Sequence, residues 1–105
     1  MAQIPKRYTK FLEDFPAVGK AYEELGKAAH EAGPLDEKTR ALIKLAISIG
    51  ARMEGAVHSH ARKALKAGAV KEELLHVAVL SLPTIGLPSA MAALDWVEDV
   101  TEKKS

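Results

Sequence analysis

The chain of 105 residues contains no cysteine. That absence excludes disulfides, thiolate metal ligands and catalysis by a thiol nucleophile. An excess of charge of either sign is missing too: 15 Lys and Arg stand against 14 Asp and Glu, mixed along the chain. Binding to nucleic acid or to an anionic membrane needs basic residues gathered on one face, so neither partner is expected. The opening "MAQIPKRYTKF" has no apolar signal core, and no apolar run is long enough to cross a bilayer. A cytoplasmic protein is the expectation. Internal repeats, low-complexity segments, linkers, a glycine-rich phosphate loop and a nucleophile elbow are all lacking.

What remains is alanine-rich sequence punctuated by glycine and proline. Alanine favours helix but buries little area, so its helices gain from close packing and from association. The punctuation predicts an all-α single domain over residues 1–105 with about six helices. "TKFLEDFP" reads as a short opening helix or turn ending at Phe15. Pro16 starts a second helix that places Val18, Ala21, Tyr22, Leu25 and Ala29 on one face. Gly33 and Pro34 stop it, and Asp36 caps a third helix, "EKTRALIKLAISIGAR", which is apolar over more than half its circumference. Gly50 and Gly55 permit a break before "AVHSHARKALKAG", closed by Gly68. "KEELLHVAVLSL" forms a fifth helix ended by Pro83 and Gly86, and Pro88 and Ser89 open the last, which fades into a charged tail. The third and fifth helices, the most continuously apolar, are expected to be the most buried.

The histidines carry the chemistry. At 100° per residue, Met53, Ala56, Val57, His60, Ala61, Ala64 and Ala67 share one stripe of the fourth helix. His60 therefore faces the apolar side, either as a core histidine bonded to a carbonyl or carboxylate or as a site residue. His58 points away beside Arg62 and reads as a solvated neighbour. His30 lies opposite the apolar face of its helix, and His76 is a candidate for burial. His58 and His60, two apart, diverge by about 200° and cannot share one ion. With no thiolate and no histidines three or four apart, neither a metal nor another cofactor is expected. Ser48 and Ser81 sit in apolar helices, where a hydroxyl most often bonds its own backbone.

Over "LDEKTRALIKLAISIGARMEGAVHSHARKALKAGAVKEELLHVAVL" and on to "PTIGLPSAMAALDW", about residues 35–96, the chain resembles the short form of the carboxymuconolactone decarboxylase family, which includes the alkylhydroperoxidase D-like proteins. Arg40, His60, Ala64, Gly68, Ala69, Glu73 and Pro88 carry the likeness. It implies an alkylhydroperoxidase D-like helical fold and, in peroxidase-type members, two cysteines seven and four residues before the histidine. Those places hold Met53 and Ala56, and the family's proton-transfer glutamate is replaced by Ala41. Only His60 matches. A thioether and a methyl group do not replace thiolates, so the peroxidase cycle cannot run.

Three functions compete. The first is a family protein that has lost thiol peroxidase chemistry and keeps a small-molecule pocket at His60. The second is a decarboxylase-type enzyme acting on a small carboxylic acid or lactone, with His60 as acid or base. Such an enzyme wants cations around its anion, and Arg40 and Arg52, the available ones, are off the His60 stripe. The third is a Cys-free variant of an alkylhydroperoxidase, a peroxiredoxin-like antioxidant protein. A homo-oligomer is expected, a trimer or a hexamer built from dimers: the resemblance implies the hexamer, and small alanine-rich helices gain from packing on copies of themselves. His60 is expected to lie buried in a small cavity with Met53 and Ala56, close to Ala41. Without the glutamate, and with burial, its pKa should fall below the ordinary ~6.5.

Overall fold

The computed structural model describes residues 5–102, and among these every regular element is an α-helix. The chain divides into two compact units, one up to Leu35 and one from Asp36 onward. The first unit pairs α1 (Lys6–Asp14) with α2 (Pro16–His30). Gly19 is buried beneath Leu12, whose Cδ2 lies 2.5 Å from where a Cβ would stand, so the missing side chain lets the two helices approach. Tyr8 Oη donates to Glu23 Oε2 at 3.2 Å and ties the same pair.

The second unit holds α3 (Glu37–Gly50), α4 (Glu54–Lys66), α5 (Lys71–Leu80), the one-turn α6 (Leu82–Ile85) and α7 (Leu87–Thr101). The predicted start of α3 is found: the Asp36 carboxylate accepts the Thr39 N–H at 2.8 Å. At the start of α5, Glu73 Oε1 accepts the Val70 N–H at 3.0 Å, while its other oxygen meets Lys38 Nζ at 2.8 Å and so links α5 to α3. Pro83 begins the extra turn α6, a short helix that replaces the plain interruption expected between Pro83 and Gly86.

Leu45, Val57, Leu74 and Val97, one from each of the four long helices, are the largest fully buried side chains. Full burial of such a side chain contributes about 1.5–3 kcal/mol. Ala61, Ala64, Ala78 and Ala93 fill the positions between them, and their small size lets the helices pack closely. α3 lies along α4, and α7 packs on both α4 and α5. The burial order differs from the sequence expectation. α7 buries four of its 15 residues, α4 three of 13, α3 three of 14 and α5 two of 10, Leu74 and Ala78, so α3 and α5 are no more buried than their neighbours. On α5, Val79 and Leu80 face solvent, as does His76, which is exposed rather than buried. His30 is exposed, as expected. Ser48 and Ser81 donate to the carbonyls of Leu45 and Ala78 at 2.7 and 2.6 Å, the backbone role assigned to them.

The turn from α3 to α4 is made by neither Gly50 nor Gly55. Arg52 takes a left-handed conformation at φ 59°. Its N–H donates to the Ile49 carbonyl at 3.0 Å and the Met53 N–H to the Ser48 carbonyl at 3.2 Å, the paired bonds of a Schellman motif. α4 closes in the same way, the Gly68 N–H donating to the Leu65 carbonyl at 3.1 Å and the Ala69 N–H to the Ala64 carbonyl at 2.9 Å, with the glycine that such a position favours. A side chain at φ near +60° costs about 1 kcal/mol. Arg52→Gly should therefore raise stability by up to ~1 kcal/mol, read as a higher urea midpoint with unchanged slope. A lower midpoint would mean that the arginine side chain stabilises the turn by more than its backbone strain costs.

No helix among the described residues is long and apolar enough to cross a membrane.

Candidate functional site

Met53 is the N-cap of α4, and Ala56 and His60 follow one and two turns along it. The three differ in burial. Ala56 and His60 are partly buried, but Met53 is 58% exposed, because it belongs to the turn that precedes the helix and not to its packed stripe. The stripe itself buries Val57, Ala61 and Ala64. Ala41, on α3, is partly buried against the core.

Burial, and after it the charges of Lys63 and Lys44, push the His60 imidazole down from its ordinary 6.5 to about 4. The direction is the expected one, and its causes are partly new. A histidine loses basicity when desolvated, and a neighbouring cation penalises its charged form further. Lys63 stands three residues beyond His60 on α4, while Lys44 comes from α3, the helix packed alongside. Lys44 is in turn held below its ordinary value by burial first, then by Lys63 and Arg40. His60 is thus held neutral, with the charges of Lys63 and Lys44 acting on it. Lys63 was legible as an i,i+3 neighbour of His60; Lys44 was not, because only helix packing brings it near.

This shift has a consequence for stability. The folded-state value lies below the unfolded one, so on acidification the unfolded chain takes up the proton first. The His60 contribution is fully present above about pH 6.5, declines as pH falls toward about 4, and is gone below that. Its size is on the order of 2–3 kcal/mol. Asp36 and Glu73 are both held below the usual carboxylate range, so their own contributions begin to decline only at the acid end of this window. Urea midpoints measured from pH 7 to pH 4 should therefore fall in the natural chain and stay nearly flat in His60→Leu. Parallel curves for the two proteins would contradict a neutral, partly buried His60.

His58 is not the solvated bystander that its helix face suggested. Its Nε2 lies 3.0 Å from Asp99 Oδ2 on α7 and 4.0 Å from Glu54 Oε2 one turn back on α4. The contact was invisible in sequence because it depends on α4 crossing α7; only the Glu54–His58 spacing of four was on view.

The family model described as "Carboxymuconolactone decarboxylase family" matches residues 16–99. An uncharacterised protein of Haemophilus influenzae is 38% identical over 63 residues, which cover 60% of this chain and only 56% of that protein's length. An uncharacterised protein of Cupriavidus necator is 27% identical over 93 residues, covering 89% of this chain and 82% of the other. No solved structure matches the chain. With a match across so much of its length, the chain belongs to the carboxymuconolactone decarboxylase family.

Proposed function

We propose that this chain is a family member without thiol peroxidase chemistry whose His60 site takes a small carboxylic acid or carboxylated lactone. The observation that carries the reading is the pair of lysines, Lys44 and Lys63, whose charges bear on His60. Two ammonium groups beside a neutral imidazole repel a proton and attract an anion. A carboxylate bound among them offsets their field, so the His60 pKa should rise as the ligand binds. Ligand binding and proton uptake are then linked.

A decarboxylation fits the same arrangement. Lys44 and Lys63 supply the positive charge that Arg40 and Arg52, off the His60 stripe, do not. Loss of carbon dioxide from R–COO⁻ leaves the bonding pair on the former α-carbon, spread into a conjugated carbonyl where the substrate has one. The imidazolium formed on substrate binding gives its proton to that carbon and returns to the neutral imidazole. Lys44 and Lys63 stabilise the negative charge before and during the step. The test is isothermal calorimetry and carbon-dioxide release with a panel of small carboxylic acids and lactones, run with a His60→Ala control. Binding lost in the control supports the site. Binding unchanged in the control would overturn it.

We also infer self-association. Ile43 and Ile47 on α3, Leu80 on α5 and Leu87 and Met91 on α7 are exposed in the second unit, with Ile47 64% exposed. Apolar side chains so placed on several helices are what an interface between copies would cover. Light scattering at micromolar concentration should report a trimer or a hexamer, and a monodisperse monomer would refute the inference.

A further inference from the structure

We propose that Glu54, His58 and Asp99 form a binding site for a divalent transition metal of the zinc type, separate from His60. One ligand atom from each residue lies within 4.8 Å of the others. Glu54 and His58, four apart, project from the same face of α4, and α7 brings Asp99 to them. Within the group the His58 ring nitrogen is 3.0 Å from the Asp99 carboxylate and 4.0 Å from that of Glu54.

These separations suit a small ion. Zinc bonds nitrogen and carboxylate oxygen at about 2.0–2.2 Å, which sets tetrahedral ligand edges of roughly 3.3 Å. The two His58 separations differ from such an edge by less than about 1 Å, and the two carboxylates, within 4.8 Å of each other, close by up to about 1.5 Å to reach it. One imidazole with two carboxylates is a borderline donor set that favours zinc and its transition-metal neighbours over calcium or magnesium, which take oxygen alone. The two carboxylates neutralise a divalent charge. To bind through Nε2, His58 carries its proton on Nδ1, and the contact now made to Asp99 gives way to a shared metal.

The three side chains differ in exposure: 25% for His58, 39% for Asp99 and 58% for Glu54. The histidine is the anchored ligand, and the open side leaves room for water at the fourth position. The site is distinct from a pairing of His58 with His60, which point to different faces of α4. A set that one histidine completes with carboxylates from two helices leaves only the Glu54–His58 spacing visible in sequence.

The test titrates Zn²⁺ alone into the full chain, first stripped with chelator, following heat by calorimetry and the His58 ring signals by NMR. One ion per chain is expected, with His58 signals shifting and a raised Tm that chelator reverses. His58→Gln should remove the binding, and Asp99→Asn and Glu54→Gln should each weaken it by about tenfold or more. Glu54 is the most exposed of the three, so Glu54→Gln should keep the fold, and circular dichroism checks all three variants. Binding that survives His58→Gln, or that moves only His60 or His76 signals, would overturn the assignment. So would a folded natural chain whose His58 signals do not respond to millimolar Zn²⁺; the trio would then be a hydrogen-bonded link between helices and nothing more.

Discussion

Met53→Cys with Ala56→Cys should yield a protein that closes a disulfide under mild oxidant. With Ala41→Glu added, it should gain hydroperoxide turnover that the natural chain lacks. The positions are the N-cap and the third residue of α4, one turn apart at a helix N-terminus. Thiolates are stabilised there by the unpaired N–H groups and the helix dipole. The exposure of Met53 would serve this chemistry by opening the first thiol to peroxide. The thiolate attacks the peroxide and takes one oxygen as a sulfenic acid, releasing alkoxide. The second thiol then displaces water to form the disulfide, which a dithiol reduces. In the natural chain no step of this cycle is available, so turnover with any dithiol should equal the buffer blank. Turnover by the natural chain that disappears with His60→Ala would contradict the account. A folded double variant that never forms the disulfide would break the alignment of positions 53 and 56 with the family's cysteines.

Neutralising the lysines should have the second large effect. Lys63 is the stronger of the two charges acting on His60. Lys63→Gln alone should therefore raise the histidine's pKa more than Lys44→Gln does, and neither should return it fully to 6.5, because burial is the largest cause. Each charge-assisted contact to a carboxylate contributes about 1.5–3 kcal/mol. The double variant should accordingly lose small-carboxylate affinity by at least about tenfold, and by about a hundredfold or more if both lysines touch the ligand. Calorimetry with the same acid on the natural chain and the three variants gives the comparison. Unchanged affinity in the double variant would mean that the lysines shape the field around His60 without meeting a ligand.

The helical framework was legible because its signals are local. Asp36 ahead of α3, Pro16 at the start of α2 and Gly68 after α4 each act within one turn of their own position. The family was legible because the ordered set around His60 spans several helices. The α3–α4 turn was misread because Arg52 adopts a left-handed conformation that sequence assigns to glycine, and two glycines stood nearby to take the credit. Burial was misread at α3 and α5, where an apolar composition all round says nothing about which faces find a neighbour within the chain. The two features that matter most for chemistry were the least visible. Lys44 reaches the surroundings of His60, and Asp99 reaches His58, only through the packing of α3 and α7 on α4.

The central claim is that His60 is a neutral imidazole in a cationic setting that an anionic ligand reverses. An NMR titration of the His60 ring, run with and without a small carboxylate that the chain binds, tests it most directly. The expected result is a pKa of about 4 in the free protein, moving upward when the carboxylate is present. A free-protein value at or above 6.5, or a low value that the bound carboxylate leaves unmoved, would contradict it.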